Sequence, residues 1–165
     1  PARNVARWDG KAWSSLGDGA AFPVSTFAVN GKGEVYAGDS ASRVSAWDGR
    51  AWSTLAPGPT ILALATDPAG DLYAAGATVT VEGRLVSGGI PSEADQRVGL
   101  VAKWTEGGWA PLGLFDAEVN ALVVDGSATI FAAGPFKTQD GRPVGHVARL
   151  PALIEDLKTQ GGRTD

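Results

Sequence analysis

Trp8-Asp9-Gly10-Lys11-Ala12-Trp13 returns along the chain as Trp47-Asp48-Gly49-Arg50-Ala51-Trp52 and, more loosely, as Trp104-Thr105-Glu106-Gly107-Gly108-Trp109. All 6 tryptophans of the protein sit in these three pairs, the members of each five residues apart. Short apolar runs on either side of Asp-Gly predict a hairpin. Val5-Ala-Arg-Trp8 enters, Asp9 and Gly10 supply residues that tolerate positive φ, and Trp13-Ser-Ser-Leu16 leaves. A four-residue loop sets the two indoles opposite each other across the strands, where an aromatic pair adds up to about 1 kcal/mol. The third copy moves its glycines to Gly107 and Gly108, so its turn is expected to differ in type while the indoles keep their places.

A second block alternates with the first. Its copies are Val24 to Gly38, Ile61 to Gly76 and Val119 to Gly134. Asn30, Asp67 and Asp125 share one position, and Tyr36, Tyr73 and Phe131 share another six residues later. Each copy is a short run of β-formers, a turn with Asn or Asp and usually Gly, and a second run ending in Ala-Gly, which predicts another hairpin. One unit is therefore four short antiparallel strands. Trp8 to Trp47 spans 39 residues, the length of one propeller blade, whereas Trp47 to Trp104 spans 57. The second unit thus carries an insertion, placed at 77–97. Thr78 to Val81, Glu82-Gly83 and Arg84 to Val86 predict a small extra hairpin, and Gly88 to Gln96 an exposed loop. Insertions in repeat arrays often mark the working face.

The pattern breaks near the end. Val147-Ala-Arg-Leu150 copies Val5-Ala-Arg-Trp8, but no second tryptophan follows. Pro151, a favoured first helical residue, opens a short amphipathic helix within 151–165, with Leu153, Ile154 and Leu157 as an apolar stripe facing a partner. Residues 1–150 are thus expected to be an all-β, β-propeller-like array of four-stranded antiparallel blades, about three in number. Propellers typically have four to eight blades, so three leave an incomplete ring. Pairing the N-terminal outer strands with the C-terminal inner ones gives the third blade. Two such arcs related by a two-fold axis give a closed ring of six.

The alternation of Val-Ala-Arg-Trp-Asp-Gly-Lys-Ala-Trp with Ala-Leu-Ala-Thr-Asp-Pro-Ala-Gly-Asp-Leu-Tyr-Ala-Ala-Gly resembles a type of bacterial tandem repeat read as β-propellers. These repeats are grouped with Kelch and galactose-oxidase-like domains in exported and surface proteins, and fungal cortical polarity-marker proteins carry a similar pattern. Ala133 to Arg149 resembles the linker between units of that type. The resemblance reaches Leu150 and implies architecture rather than activity, because propellers host many functions. Galactose-oxidase copper chemistry uses tyrosines, histidines and a cysteine, a set this chain lacks.

Composition narrows the rest. Apolar residues are 44% and charged ones 19% of the 165, which excludes disorder as the default. The 23 glycines and 10 prolines point to many turns. A net charge of −4 gives no basic footprint for nucleic acid, and no apolar run is long enough to span a membrane as a helix. With 0 cysteines there are no disulfides and no thiol chemistry. The chain begins with Pro rather than Met, which fits a processed product or a piece of a longer chain; a removed signal peptide predicts export, and the resemblance implies a bacterial source.

Candidate chemistry is sparse. Trp8, Trp13, Trp47, Trp52, Trp104 and Trp109 have flat faces suited to stacking on sugars, but strict repetition favours packing between neighbouring blades. Tyr36, Tyr73 and Phe131 are assigned to packing on the same ground. Asp9, Gly10, Asp48 and Gly49 are assigned to turns. Asp67 and Asp71 share a turn, yet the six to eight oxygens of a Ca²⁺ site are not in view. His146 is the 1 histidine, without a second histidine or cysteine for a transition metal or an activated serine for a triad. No catalytic residue, metal ligand or cofactor is assigned.

The expected function is a non-enzymatic, exported propeller module, a scaffold or interaction subunit whose ring is completed by a protein partner or by copies of itself. A carbohydrate-binding propeller is the alternative. A third is a glycan hydrolase or lyase using Glu82, Glu93 and Asp95 on the loops.

Overall fold

In a computed structural model of the chain, residues 3–39, 41–55, 57–81, 84–86, 96–106 and 108–150 are described, with side chains for all of these but 79–81, 84–86, 96 and 97. The helix expected within 151–165, with Leu153, Ile154 and Leu157, lies outside the described residues, as do Glu82, Glu93, Asp95 and most of the loop 88–96. The regular elements are strands, arranged in four antiparallel sheets.

A two-stranded sheet joins β1 (Ala6–Trp8) to β2 (Trp13–Ser15). A four-stranded sheet follows in sequence order: β3 (Thr26–Val29), β4 (Val35–Gly38), β5 (Val44–Trp47) and β6 (Trp52–Thr54). The next sheet is built on β7 (Thr60–Thr66), β8 (Leu72–Val81), β10 (Gln96–Thr105) and β11 (Gly108–Phe115). The insertion appears here as lengthening. β8 runs on to Val81, pairs with β9 (Arg84–Val86) on one side and with β10 on the other. The last sheet has three strands, β12 (Ala121–Val124), β13 (Ile130–Ala133) and β16 (Val147–Leu150).

Two findings depart from the sequence expectations. The stretch Ala133 to Arg149 is more than a linker, because β14 (Thr138–Gln139) and β15 (Arg142–Pro143) form a hairpin that extends the sheet of β11. Asp140 and Gly141 connect them with φ of 48° and 76°, the positive pair that a two-residue hairpin turn requires. The N-terminal pair β1–β2 does not complete the last sheet. It packs beside the first, where the Trp52 Nε1–H donates to the Leu16 carbonyl at 2.8 Å, and β16 occupies the edge of β13 instead.

The three larger sheets stack face to face, because each carries apolar residues on both faces. Strand alternation puts Ala28 and Val44 on the side of the first sheet that meets Ile61, Leu64, Leu72 and Ala74 of the second. The opposite face of the second sheet, with Tyr73, Ala75 and Val101, meets Leu122, Ile130, Ala132, Ala148 and Leu150 of the third. Phe136, from the segment before β14, is fully buried there with its ring 4.5 Å from that of Phe115. First strands of neighbouring units also bond directly. Leu64 N–H donates to Thr26 Oγ1 at 3.2 Å, and the Thr66 hydroxyl donates to the Val29 carbonyl at 3.1 Å.

The Ala-Gly that ends each inner hairpin is a close-approach site. A bulge at Ile61/Ala63 brings β7 against β8, so that a Cβ on Gly76 would collide with the Thr60 carbonyl oxygen. On Gly38 it would instead meet methyl groups of Ile61 and Leu64 at 3.1 Å. Backbone cannot yield as side-chain methyls can, so Gly76→Ala is expected to destabilise by on the order of 3 kcal/mol and Gly38→Ala by about 1. Urea unfolding of the two variants checks the order.

Candidate interaction surface

The three tryptophan hairpins place their indoles as direct register partners: Trp8 with Trp13, Trp47 with Trp52 and Trp104 with Trp109. Ring centroids stand 5.5, 5.7 and 5.2 Å apart, the first two pairs tilted and the third edge-on. What differs between the pairs is their cover. The segment after β2 passes against the second pair, where a Cβ on Gly17 would lie 2.7 Å from the Trp47 ring. The segment after β6 does the same to the third, with Gly58 as close to Trp109. Those two pairs are half-buried, whereas Trp8 and Trp13 at the start of the stack remain exposed.

The turns explain where the carboxylates go. Asp9 Oδ1 accepts the N–H groups of Lys11 and Ala12 at 2.8 Å each, and Asp48 Oδ1 those of Arg50 and Ala51 at 2.7 and 2.8 Å. Gly10 and Gly49 follow with φ of 98° and 95°. In the third copy the pairing Thr105↔Gly108 tightens the turn, and the Thr105 hydroxyl donates to the Gly108 carbonyl at 2.8 Å. The inner hairpins use one shared device. Asn30, Asp67 and Asp125 each accept, through Oδ1, the N–H of the residue four positions on.

The second oxygen of Asp67 is occupied as well. Tyr73 donates its hydroxyl to Asp67 Oδ2 at 3.0 Å. Burial first, then this hydrogen bond and the charge of Asp67, push the Tyr73 pKa well above its ordinary value. Asp71 pairs with Lys103 at 2.6 Å. The two carboxylates of this turn are thus engaged by a tyrosine and a lysine. Among the described residues no group of three or more His, Asp or Glu is placed to hold a metal. His146 is exposed, and its carbonyl accepts the Gly134 N–H at 3.1 Å.

Sequence reading missed three further bridging carboxylates. Asp116 Oδ1 accepts the N–H groups of Lys137 and Thr138, Asp140 Oδ1 that of Leu114, and Asp39 Oδ1 those of Ala41 and Arg43. Burial alone raises the Asp39 pKa, but hydrogen bonds from the Arg43 side chain and from the backbone outweigh it and leave it lowered. The Asp140-Gly141 dipeptide was the available signal for the β14–β15 hairpin.

The surface feature that stands out lies at the two ends of the stack. Val123, Phe131 and Val147 form one exposed face of the last sheet, as their register with Arg149 and Ala133 requires. At the other end Phe27 and Val29 are exposed on the first sheet. They floor a cleft of about 1000 Å³ walled by Val5, Arg7, Trp8 and Trp13. No helix among the described residues is long and apolar enough to cross a membrane. Compared with known protein families and with curated proteins, the chain matches no family model and no curated sequence.

Two outcomes follow from this geometry. Trp109→Ala, which uncovers packed surface, is expected to cost about 2 kcal/mol, against well under about 1 for the exposed Trp13→Ala; chemical denaturation reads both. The carboxyls of Asp9, Asp48 and Asp116, held by backbone N–H groups, and of Asp125, held first by Ser127, titrate below 3.8 in the folded chain. The unfolded chain therefore takes up protons first. Stability is full above about pH 5 and falls as the pH drops through 3.8 toward the lowered folded values. Asp116→Asn keeps the acceptor oxygen but cannot titrate, so it flattens that acid limb in urea midpoints measured against pH.

Proposed function

We propose that the chain is a run of β-propeller-type blades, exported and non-enzymatic, that serves as a scaffold or protein-interaction subunit of a larger assembly. One observation carries this reading: both ends of the stack present apolar faces whose counterparts inside the stack are buried. Val147 is 61% exposed, while Val44 and Val101 at the same repeat position are 0% exposed. Phe27 is 66% exposed, while Leu64 and Leu122 are 7% and 8%. Apolar patches of this kind mark sites of association. The four-strand order of the first sheet, its echo in β7–β8–β10–β11 and the resemblance of the repeats to Kelch-like propellers support the blade reading.

The glycan-binding alternative rests on the exposed Trp8 and Trp13 beside the cleft. It draws no support from the other four indoles, which neighbouring segments cover. Added to native extract, the purified 165-residue chain is expected to migrate well above its own 16.9 kDa. Val123→Glu with Val147→Glu, both on exposed sites, should return it toward that mass without changing its melting temperature. Migration as a lone monomer, together with tryptophan quenching by glycans, would overturn the proposal.

A further inference from the structure

The turn of the first inner hairpin holds Asn30 where the second and third hold Asp67 and Asp125. That difference tracks another. Across the strand from the aromatic of each hairpin stand Ala46 opposite Tyr36, Lys103 opposite Tyr73 and Arg149 opposite Phe131. Lys103 pairs with Asp71 of its turn at 2.6 Å. The Asp125 carboxyl is held below its ordinary pKa by the Ser127 hydroxyl first and, more weakly, by the charge of Arg149. Each turn with an aspartate thus has a cation across the strand, and the turn with an asparagine has an alanine.

Asn30 is buried. Its Oδ1 accepts the N–H groups of Lys32 and Glu34 at 3.0 and 3.1 Å, and its Nδ2 donates to Glu34 Oε2 at 2.6 Å. The Tyr36 hydroxyl donates to the same Glu34 oxygen at 3.3 Å. Glu34 therefore relies on two neutral donors, and among the described residues no lysine or arginine pairs with it. A carboxylate at position 30 would put a second negative oxygen where the shorter donor now stands, with no cation across the strand to offset it. The site lies on the seam between the first two sheets. A Cβ on Gly70, in the next turn, would stand 3.2 Å from Asn30 Nδ2, and the adjoining Val29 carbonyl accepts the Thr66 hydroxyl.

Of the asparagines Asn4, Asn30 and Asn120, only Asn30 precedes a glycine, whose backbone nitrogen no side chain obstructs. Gly31 is exposed, and among the described residues its N–H donates to no acceptor. We propose that Asn30 is a deamidation site, closed while its turn is intact, whose conversion to a carboxylate loosens the seam between the first and second sheets. The Gly31 nitrogen gives its proton to a solvent base and bonds to Asn30 Cγ. The Cγ–Nδ2 bond breaks, and Nδ2 leaves as ammonia with a proton from water. Water then opens the cyclic imide at either carbonyl, leaving an aspartyl or isoaspartyl residue at position 30. For the nitrogen to reach Cγ, the Asn30 side chain must turn out of its bonds to Lys32 and Glu34. Each is worth roughly fivefold in an equilibrium, so the three together slow the attack on the order of 100-fold.

Peptide mass spectrometry of the purified chain, aged at mildly alkaline pH in buffer and in urea, reads the conversion directly. At Asn30 it should run on the order of 100-fold faster in urea than in buffer, and ahead of Asn4 and Asn120 in the unfolded chain. Gly31→Ala, at a position with open space for a methyl group, should suppress it in both. Asn30→Asp, made directly, should have a lower urea midpoint than the wild type. Adding Ala46→Lys should restore that midpoint, because it supplies the cation that Lys103 provides in the second sheet. Conversion in buffer as fast as in urea, or conversion led by Asn4 or Asn120, overturns the proposal. So does an Asn30→Asp chain as stable as the wild type, or a double variant no more stable than Asn30→Asp alone.

Discussion

A sheet that is apolar on both faces cannot stand alone in water, and that constraint organises this molecule. Each strand alternates its side chains between faces, yet here neither face is polar. The second sheet solves the problem by sitting between two others, with Leu64, Leu72 and Ala74 on one side and Tyr73, Ala75 and Val101 on the other all buried. Burying a side chain of this size is worth about 1.5 to 3 kcal/mol, so the two interfaces dominate the stability of the stack. The first and last sheets each have one neighbour and are left with one open face.

Polar groups in this fold serve mainly to shape turns. Asp9, Asp48 and Asp125 each accept backbone N–H groups from the residues that follow, which fixes the turn and, with the Ser127 hydroxyl at Asp125, lowers the carboxyl pKa without help from a buried charge. At Asp67 the second oxygen meets the Tyr73 hydroxyl, and at Asp39 the Arg43 guanidinium. Such turns let strands be short and closely spaced, and that in turn lets segments such as 16–19 thread back under the next pair of indoles.

This division of labour also explains what the sequence discloses. The hairpins, their order and the facing of the tryptophans follow from local rules, since turn residues and apolar runs lie within about 15 residues of each other. Register could be read because Asn30, Asp67 and Asp125 each close the same turn. The β14–β15 hairpin was legible in Asp140-Gly141 but was hidden by a repeat-based view that treats Ala133 to Arg149 as connection. An incomplete ring predicts open apolar faces, but no single motif discloses which residues form them. Val147 and Val101 carry the same side chain in the same motif, and only the presence or absence of a neighbouring sheet makes one exposed and the other buried.

That contrast gives the repeat its physical meaning. In an ordinary domain an exposed valine or phenylalanine is unremarkable, because much of any protein surface is apolar. Here the same positions recur in each unit, so the protein carries its own controls for what those residues do when covered. Val44 and Val101 show the valine fully packed, and Tyr73 shows the aromatic packed with its hydroxyl satisfied. Phe131 dispenses with that hydroxyl, and Asp125, which would have received it, bonds Ser127 instead. The last unit thus differs chemically at the aromatic position that its open face presents. With no hydroxyl at Phe131, that face is apolar at Val123, Phe131 and Val147 alike, the character that contact with another surface requires.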